Sequence, residues 1–220
     1  MRKVIFIACL FFLISPVCYS QKNFGVKAGI NVTRLEVNEA YTLKIKNRLG
    51  YHLGVWKEST FSPKVFLRTE LFYTLKGGRY SDTLTLPFAS ETSRINGTLI
   101  YNYLTLPLLL GYQLNSKTAV FLGPEFSLLI VPLNREDGGK AHNMKHILRY
   151  NGLDMGLTAG FRYNLNAKLS ADLRYTYGFS TILQYEVTDA QGNTYLPKQS
   201  HNQAAQLGLS FRLKTKDKKS

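Results

Sequence analysis

Three histidines, His142, His146 and His201, lie in polar stretches near Glu136, Asp137 and Asp189. Imidazoles and carboxylates are the groups from which acid–base and metal sites are built. His142 and His146 stand four residues apart, the spacing that places two imidazoles on one face of a helical turn. No third ligand accompanies them, and no HExxH motif occurs. A Ser/His/Asp triad is defined by geometry rather than by order in the chain, so scattered residues do not specify one. No glycine-rich phosphate loop is present either. The sequence therefore predicts no catalytic residue, no metal and no cofactor. The alternative function kept open by these loop residues is a surface-loop hydrolase.

A second set of ionisable residues is more ordered. Lys27, Arg68, Glu70, Glu125, Asp154, Arg162, Asp172 and Arg174 each sit inside a segment in which polar residues alternate with a mostly apolar face. Four are cations and four are carboxylates, with Arg212 left over near a segment end. Charges withdrawn from bulk water must be paired or hydrated. The expectation is a sequestered ion network rather than a reactive centre.

The segments carrying these charges alternate strictly. Eight are predicted as strands: Phe24 to Val32, Leu49 to Trp56, Val65 to Thr74, Thr98 to Tyr112, Ala119 to Ile130, Gly152 to Tyr163, Lys168 to Phe179 and Gln203 to Leu213. In the last, Ala205, Leu207, Leu209, Phe211 and Leu213 share one face; Ala204, Gln206, Gly208, Ser210 and Arg212 share the other. Period two is the signature of a strand with two unlike faces. Short connections (57–64, 113–118, 164–167) alternate with long polar ones (33–48, 75–97, 131–151, 180–202). That rhythm marks an eight-stranded antiparallel up-and-down transmembrane β-barrel, all-β, with both termini on the short-turn, periplasmic side. Pro107 and Pro124 fall within strands, where a bulge or a distortion is expected.

Alternation alone leaves the orientation open. A soluble, lipocalin-like barrel buries the apolar face; a membrane barrel turns it outward. Three features favour the membrane. The apolar face is rich in Leu, Phe and Tyr on every strand. The charged face carries small residues suited to a narrow lumen, and its charges nearly cancel. Tyrosines near strand ends (Tyr51, Tyr73, Tyr80, Tyr101, Tyr103, Tyr112, Tyr150, Tyr163, Tyr175, Tyr177) match an interfacial belt.

The N-terminus agrees with export. Arg2 and Lys3 precede an apolar run from Val4 to Ile14, then Pro16 and small residues, which predicts a signal peptide over residues 1–20 cleaved after Ser20. Barrel residues would span 21–213, with a basic periplasmic tail over 214–220. Both cysteines, Cys9 and Cys18, fall in the signal, so no disulfide is expected in the mature chain. The formal charge is +14; without Arg2 and Lys3 it is +12. A basic, exported chain suits an anionic surface and disfavours nucleic acid. Lys44, Lys46, Arg48, Lys140 and Lys145 in the long connections are the residues expected to contact lipopolysaccharide.

The stretches FGVKAGIN, RTELFYTLKGG, YNYLTLPLLLGY, FLGPEFSLLI, LDMGLTAGFRY and ADLRYTYGFSTI resemble the small outer-membrane β-barrels common in Bacteroidetes, often labelled PorT-like. The resemblance covers nearly the whole mature chain. It implies residence in the outer membrane, insertion by the barrel-assembly machinery, and a non-enzymatic structural, accessory or binding role through extracellular loops. One branch of such proteins supports a secretion system, so an envelope or secretion partner is a further expectation.

Overall fold

The computed structural model describes residues 23–37, 44–85, 92–136, 139–144, 149–184, 187–188, 194–195 and 200–213. The expected signal peptide and tail, and Asp137, Lys145, His146 and Asp189, lie outside the described residues.

Eight long strands form: β1 (Asn23–Val37), β2 (Arg48–Thr60), β3 (Val65–Thr85), β4 (Thr92–Gln113), β5 (Thr118–Glu136), β6 (Leu153–Asn164), β7 (Leu169–Gly178) and β8 (Ser200–Leu213). Each pairs antiparallel with its neighbours in sequence, and β1 pairs with β8, so the sheet closes into a ring. Short strands add to it: Lys44–Lys46 on β3, and Ala141–Asn143 on β5. Closure leaves no edge along the ring with unpaired N–H and C=O groups, which hydrocarbon would not tolerate.

The register explains which face is greasy. One row of directly paired residues runs Tyr51, Ile30, Leu207, Leu173, Phe161, Val120, Tyr112, Val65. It arrives beside Phe61, just past the end of the strand it left at Tyr51. The row thus climbs as it circles, the stagger that tilts strands in a closed barrel. Ile30 is 56 % and Leu207 51 % exposed, whereas Lys27 and Glu70 are 1 % and 0 % exposed. Apolar side chains face out and ionised ones face in. A soluble barrel has the reverse order, so the lipocalin-like alternative is excluded.

The periplasmic turns share one device. Asn115 Oδ1 accepts hydrogen bonds from the amides of Lys117 and Thr118, each at 2.9 Å, and Asn166 Oδ1 does the same for Lys168 and Leu169. Ser62 Oγ accepts from the Val65 amide at 3.1 Å in the third turn. Short polar side chains that bond the backbone two or three residues on are what make tight turns from Asn and Ser.

Two expectations need correction, and at the prolines one of the two expected accommodations, a local distortion, is the one found. The connections 75–97 and 131–151 are largely strand: β3, β4 and β5 have 21, 22 and 19 residues. At about 3.3 Å per residue and a tilt near 40°, such strands rise roughly 50 Å, twice the apolar band of about 25 Å. They therefore project beyond the membrane. Polar composition had suggested loops, but a sheet standing in water is polar on its outer face.

The prolines carry no bulge. Pro107 pairs with Glu125, and the same register resumes at Leu110–Leu122; only the intervening bridges are lost. The bulge lies instead at Asn102/Tyr103, where β4 and β5 leave the barrel body. Gly77, with φ of +130°, stands in β3 at the same level, opposite Ile100. Only glycine adopts that backbone without strain.

The tyrosine belt is also smaller than expected. Tyr51, Tyr112, Tyr163, Tyr175 and Tyr177 are exposed on the outside. Tyr101 and Tyr103, however, are fully buried, edge to face with ring centroids 6.5 Å apart. With Leu35 and Ile182 they form an apolar cluster, packed by Ile45, Leu99 and Leu129, that closes the extracellular end of the lumen. Ile182 is held there by its amide bonding to Ser200 O and by the Asn151 amide bonding to its carbonyl, both at 2.9 Å.

Candidate functional site: the ion-paired lumen and the extracellular extension

Alternation puts every second side chain of eight strands into one narrow cylinder, and the stagger then decides which charges meet. The larger cluster centres on Glu70 of β3. Arg68 Nε donates to Glu70 Oε1 at 2.6 Å, and Arg174 donates to both carboxylate oxygens at 2.9 and 3.1 Å. Lys27 Nζ lies 3.6 Å from Glu70 and donates to Asp172 Oδ1 at 2.7 Å, which Arg174 also engages. Arg68 reaches Ser210 Oγ at 2.7 Å and Glu58 at 3.8 Å, and Arg162 pairs with Glu58. The second cluster lies nearer the extracellular end. Lys76 Nζ donates to Glu125 at 3.0 Å, Ser127 Oγ at 3.1 Å and Asp154 at 3.4 Å. Thr158 donates to Glu125, and Asn202 Nδ2 to Asp154 at 2.9 Å.

All eight residues singled out as lumen charges are thus buried in these clusters. Two partners escaped sequence reasoning. Glu58 fell in a segment read as turn, and Lys76 in one read as loop. The signal was present: Trp56–Glu58 and Thr74–Lys76 continue the two-residue period of their strands. With them, Lys27, Arg68, Lys76, Arg162 and Arg174 face Glu58, Glu70, Glu125, Asp154 and Asp172, five cations against five carboxylates. A narrow, low-dielectric cylinder tolerates ionised groups only on such terms.

The lumen is filled by rings as well as small residues. Arg68 lies over Trp56 at 4.3 Å, Arg162 over Phe66 at 4.6 Å, Arg174 over Phe121 at 5.1 Å and Lys76 near Tyr103 at 5.2 Å. Between the two clusters lie His52, Gln206 and Asn31, each 1 % exposed. Both imidazole nitrogens of His52 and both amide atoms of Gln206 lack a hydrogen-bond partner among the described residues. Eight strands leave a bore that side chains occupy, and here they do so along its length.

Trp56 is the only tryptophan and points inward, its Nε1 donating to Val26 O at 3.2 Å. In vesicles containing brominated lipid, its fluorescence should be quenched far less than that of a tryptophan placed at Leu53 in a Trp56→Phe background. Equal quenching at both positions would contradict the assigned facing.

The two described loop histidines do not assemble. His142 is exposed on the short strand beside β5, opposite Asn134, and His201 lies in β8 opposite Glu36, with β6 and β7 between them. Glu136 is exposed at the end of β5. Among the described residues, no cluster of three or more His, Cys, Asp or Glu could hold a metal ion. Of the basic residues expected at the surface, Lys46 and Lys140 are exposed. Arg48 is half-buried and turned inward, its guanidinium 3.4 Å from Lys76 O. Lys44 lies on the short strand with Lys46; Lys145 is outside the described residues.

The sequence profile of the family described as "Outer membrane protein beta-barrel domain" matches residues 19–184. Among curated proteins none matches the chain. Solved structures similar in fold include Neisserial surface protein A, at 15 % identity and a TM-score of 0.49, covering 88 % of this chain and 100 % of that one. Ail, the attachment invasion locus protein of Yersinia pestis, in complex with sucrose octasulfate, gives 14 % identity and 0.47, covering 88 % and 99 %. OprG from Pseudomonas aeruginosa gives 10 % identity and 0.44, covering 88 % and 95 %.

Proposed function

As the chain belongs to the outer membrane protein beta-barrel domain family and resides in the outer membrane, we propose that it is a non-enzymatic binding scaffold that engages anionic lipopolysaccharide through its extracellular side. The observation that carries this reading is the contrast between lumen and surface. Inside, Lys27, Arg68, Lys76, Arg162 and Arg174 each have a carboxylate partner and an apolar cluster closes the outer end, which supports a scaffold rather than an open channel or a catalytic site. Outside, β3, β4 and β5 carry a sheet well past the membrane, with basic residues on it and beside it. Binding functions reside on segments held by a rigid frame, and a closed ring is such a frame.

Lys44, Lys46, Arg48, Lys140 and Lys145 are the contacts proposed from the sequence, serving as cations for glycolipid phosphates. A narrower placement among the PorT-like barrels of Bacteroidetes, insertion by the barrel-assembly machinery, and service to an envelope or secretion partner belong to the same proposal. They are supported by the resemblance of the strand sequences. The test is direct. Full-length mature protein in detergent should bind purified lipopolysaccharide in preference to phosphatidylcholine, and the preference should weaken with salt, as surface electrostatics do. No preference between the two lipids would overturn the reading.

A further inference from the structure

The pairing of the extracellular extension places three cations in one row. Lys46 is directly opposite Arg79, Arg79 opposite Thr98, and Thr98 opposite Arg135. Directly paired residues share a face of a sheet. The neighbouring row holds Ile45, Tyr80 and Gly97, and Ile45 packs into the apolar cluster that closes the lumen. Lys46, Arg79 and Arg135 therefore project from the opposite face, and all three are exposed. It is the same face that, lower on the strands, presents Tyr73 and Leu104.

Two observations make this row unlike ordinary surface charge. The five cations of the two lumen clusters are all paired with carboxylates, yet none of these three has a carboxylate partner among the described residues. Like charges on adjacent strands repel, so the fold retains an unfavourable arrangement unless an anion joins it. The three also line one concavity of about 510 Å³ with Tyr80, Ser81, Asn96, Gly97 and Thr98; Thr98 stands between Arg79 and Arg135, and Ser81 and Asn96 form the next pair along the same face.

The geometry points to a phosphate site: Lys46, Arg79 and Arg135, with Ser81, Asn96 and Thr98, clamp a phosphate group of a lipid-anchored glycolipid lying beside the barrel. Arginine forks match phosphate oxygens two at a time, and hydroxyl and amide donors fill the remaining lone pairs. The lipid source follows from direction. The row faces sideways over the bilayer, not up from the barrel mouth. At a tilt near 40°, about ten residues from Val65 carry β3 through the apolar band, to the level of Leu75, and Arg79 stands roughly 10 Å above it, which is the depth of headgroups and core sugars rather than of open medium. This rests on the lipopolysaccharide reading above but moves the contact to Arg79 and Arg135, which lie in the sheet and not in the loops.

The test uses full-length mature protein in detergent and measures affinity for three probes: phosphorylated lipopolysaccharide, the same lipid after phosphatase treatment, and soluble inorganic pyrophosphate. The double variant Arg79→Gln/Arg135→Gln should lose affinity for the phosphorylated lipid by on the order of tenfold or more, at about 1 kcal/mol for each surface cation. Its weaker affinity for the dephosphorylated lipid should not change. Arg79→Lys/Arg135→Lys should retain part of the binding, and Lys117→Gln/Lys168→Gln, which removes two exposed cations from the periplasmic turns, nearly all. Heat-modifiable gel mobility confirms that each variant is folded. Wild-type binding that survives Arg79→Gln/Arg135→Gln overturns the site while leaving the broader reading standing. An equal loss on Lys117→Gln/Lys168→Gln overturns it too, since bulk charge would then suffice. Pyrophosphate bound as tightly as the phosphorylated lipid overturns the assignment to a lipid. Wild-type protein that binds no lipopolysaccharide at all removes the broader reading and the site together.

Discussion

Replacing Glu70 by Ala should destabilise the barrel by about 3–5 kcal/mol, the cost of removing one partner from a buried ion pair. The effect is large because Glu70 answers three cations at once: Arg68 at 2.6 Å, Arg174 at 2.9 Å and Lys27 at 3.6 Å. Without it the cluster holds Lys27, Arg68, Arg162 and Arg174 against Asp172 and Glu58 alone. The informative comparison is the double variant Glu70→Ala/Arg174→Met. It removes one charge of each sign, leaving Lys27 with Asp172 and both Arg68 and Arg162 with Glu58. It should therefore be more stable than Glu70→Ala, although it deletes more interactions. Reversible urea unfolding from vesicles measures both. A double variant less stable than the single one would show that the cluster is held by packing rather than by charge balance.

Leu207→Arg should cost about 2–4 kcal/mol in the same assay, the penalty for a cation at the bilayer midplane. Leu207 lies between Ile30 and Leu173 in the outward row that circles the barrel, and it is 51 % exposed. Exposure of that size on a water-facing surface would make the substitution nearly neutral, within about 0.5 kcal/mol. The contrast with Leu213→Arg sharpens the test. Leu213 is the last residue of β8, at the periplasmic rim, where the penalty should fall to about 0–1 kcal/mol. Equal effects at the two depths would mean that hydrocarbon does not surround the barrel.

Much of the lumen was legible because strand alternation is local. Lys27, Glu70, Asp172 and Arg174 each declare their face through immediate neighbours, and no knowledge of the partner strand is needed. The surface site was hidden for two reasons. Polar β3–β5 sequence beyond the apolar band reads as loop, although water on one face of a sheet produces the same composition. Arg79 and Arg135 are far apart in sequence, and nothing near either announces the other. At the prolines the sequence left two accommodations open, and the structure takes the distortion. A missing N–H forbids a bridge but does not demand an extra residue, so the strands kept register through Pro107 and Pro124 and bulged at Asn102 instead.

From its own residues the chain determined the all-β class, the eight segments, the alternation of short and long connections and the greasy outer face, because each follows from a period of two and the chemistry of turns. Only the tertiary structure decided which ion meets which. Partner choice depends on the stagger accumulated around a closed ring, and stagger is a property of all eight strands together. That is why Glu58 could join Arg162, Lys76 could join Glu125 and Asp154, and three outward cations from distant segments could come to stand in one row.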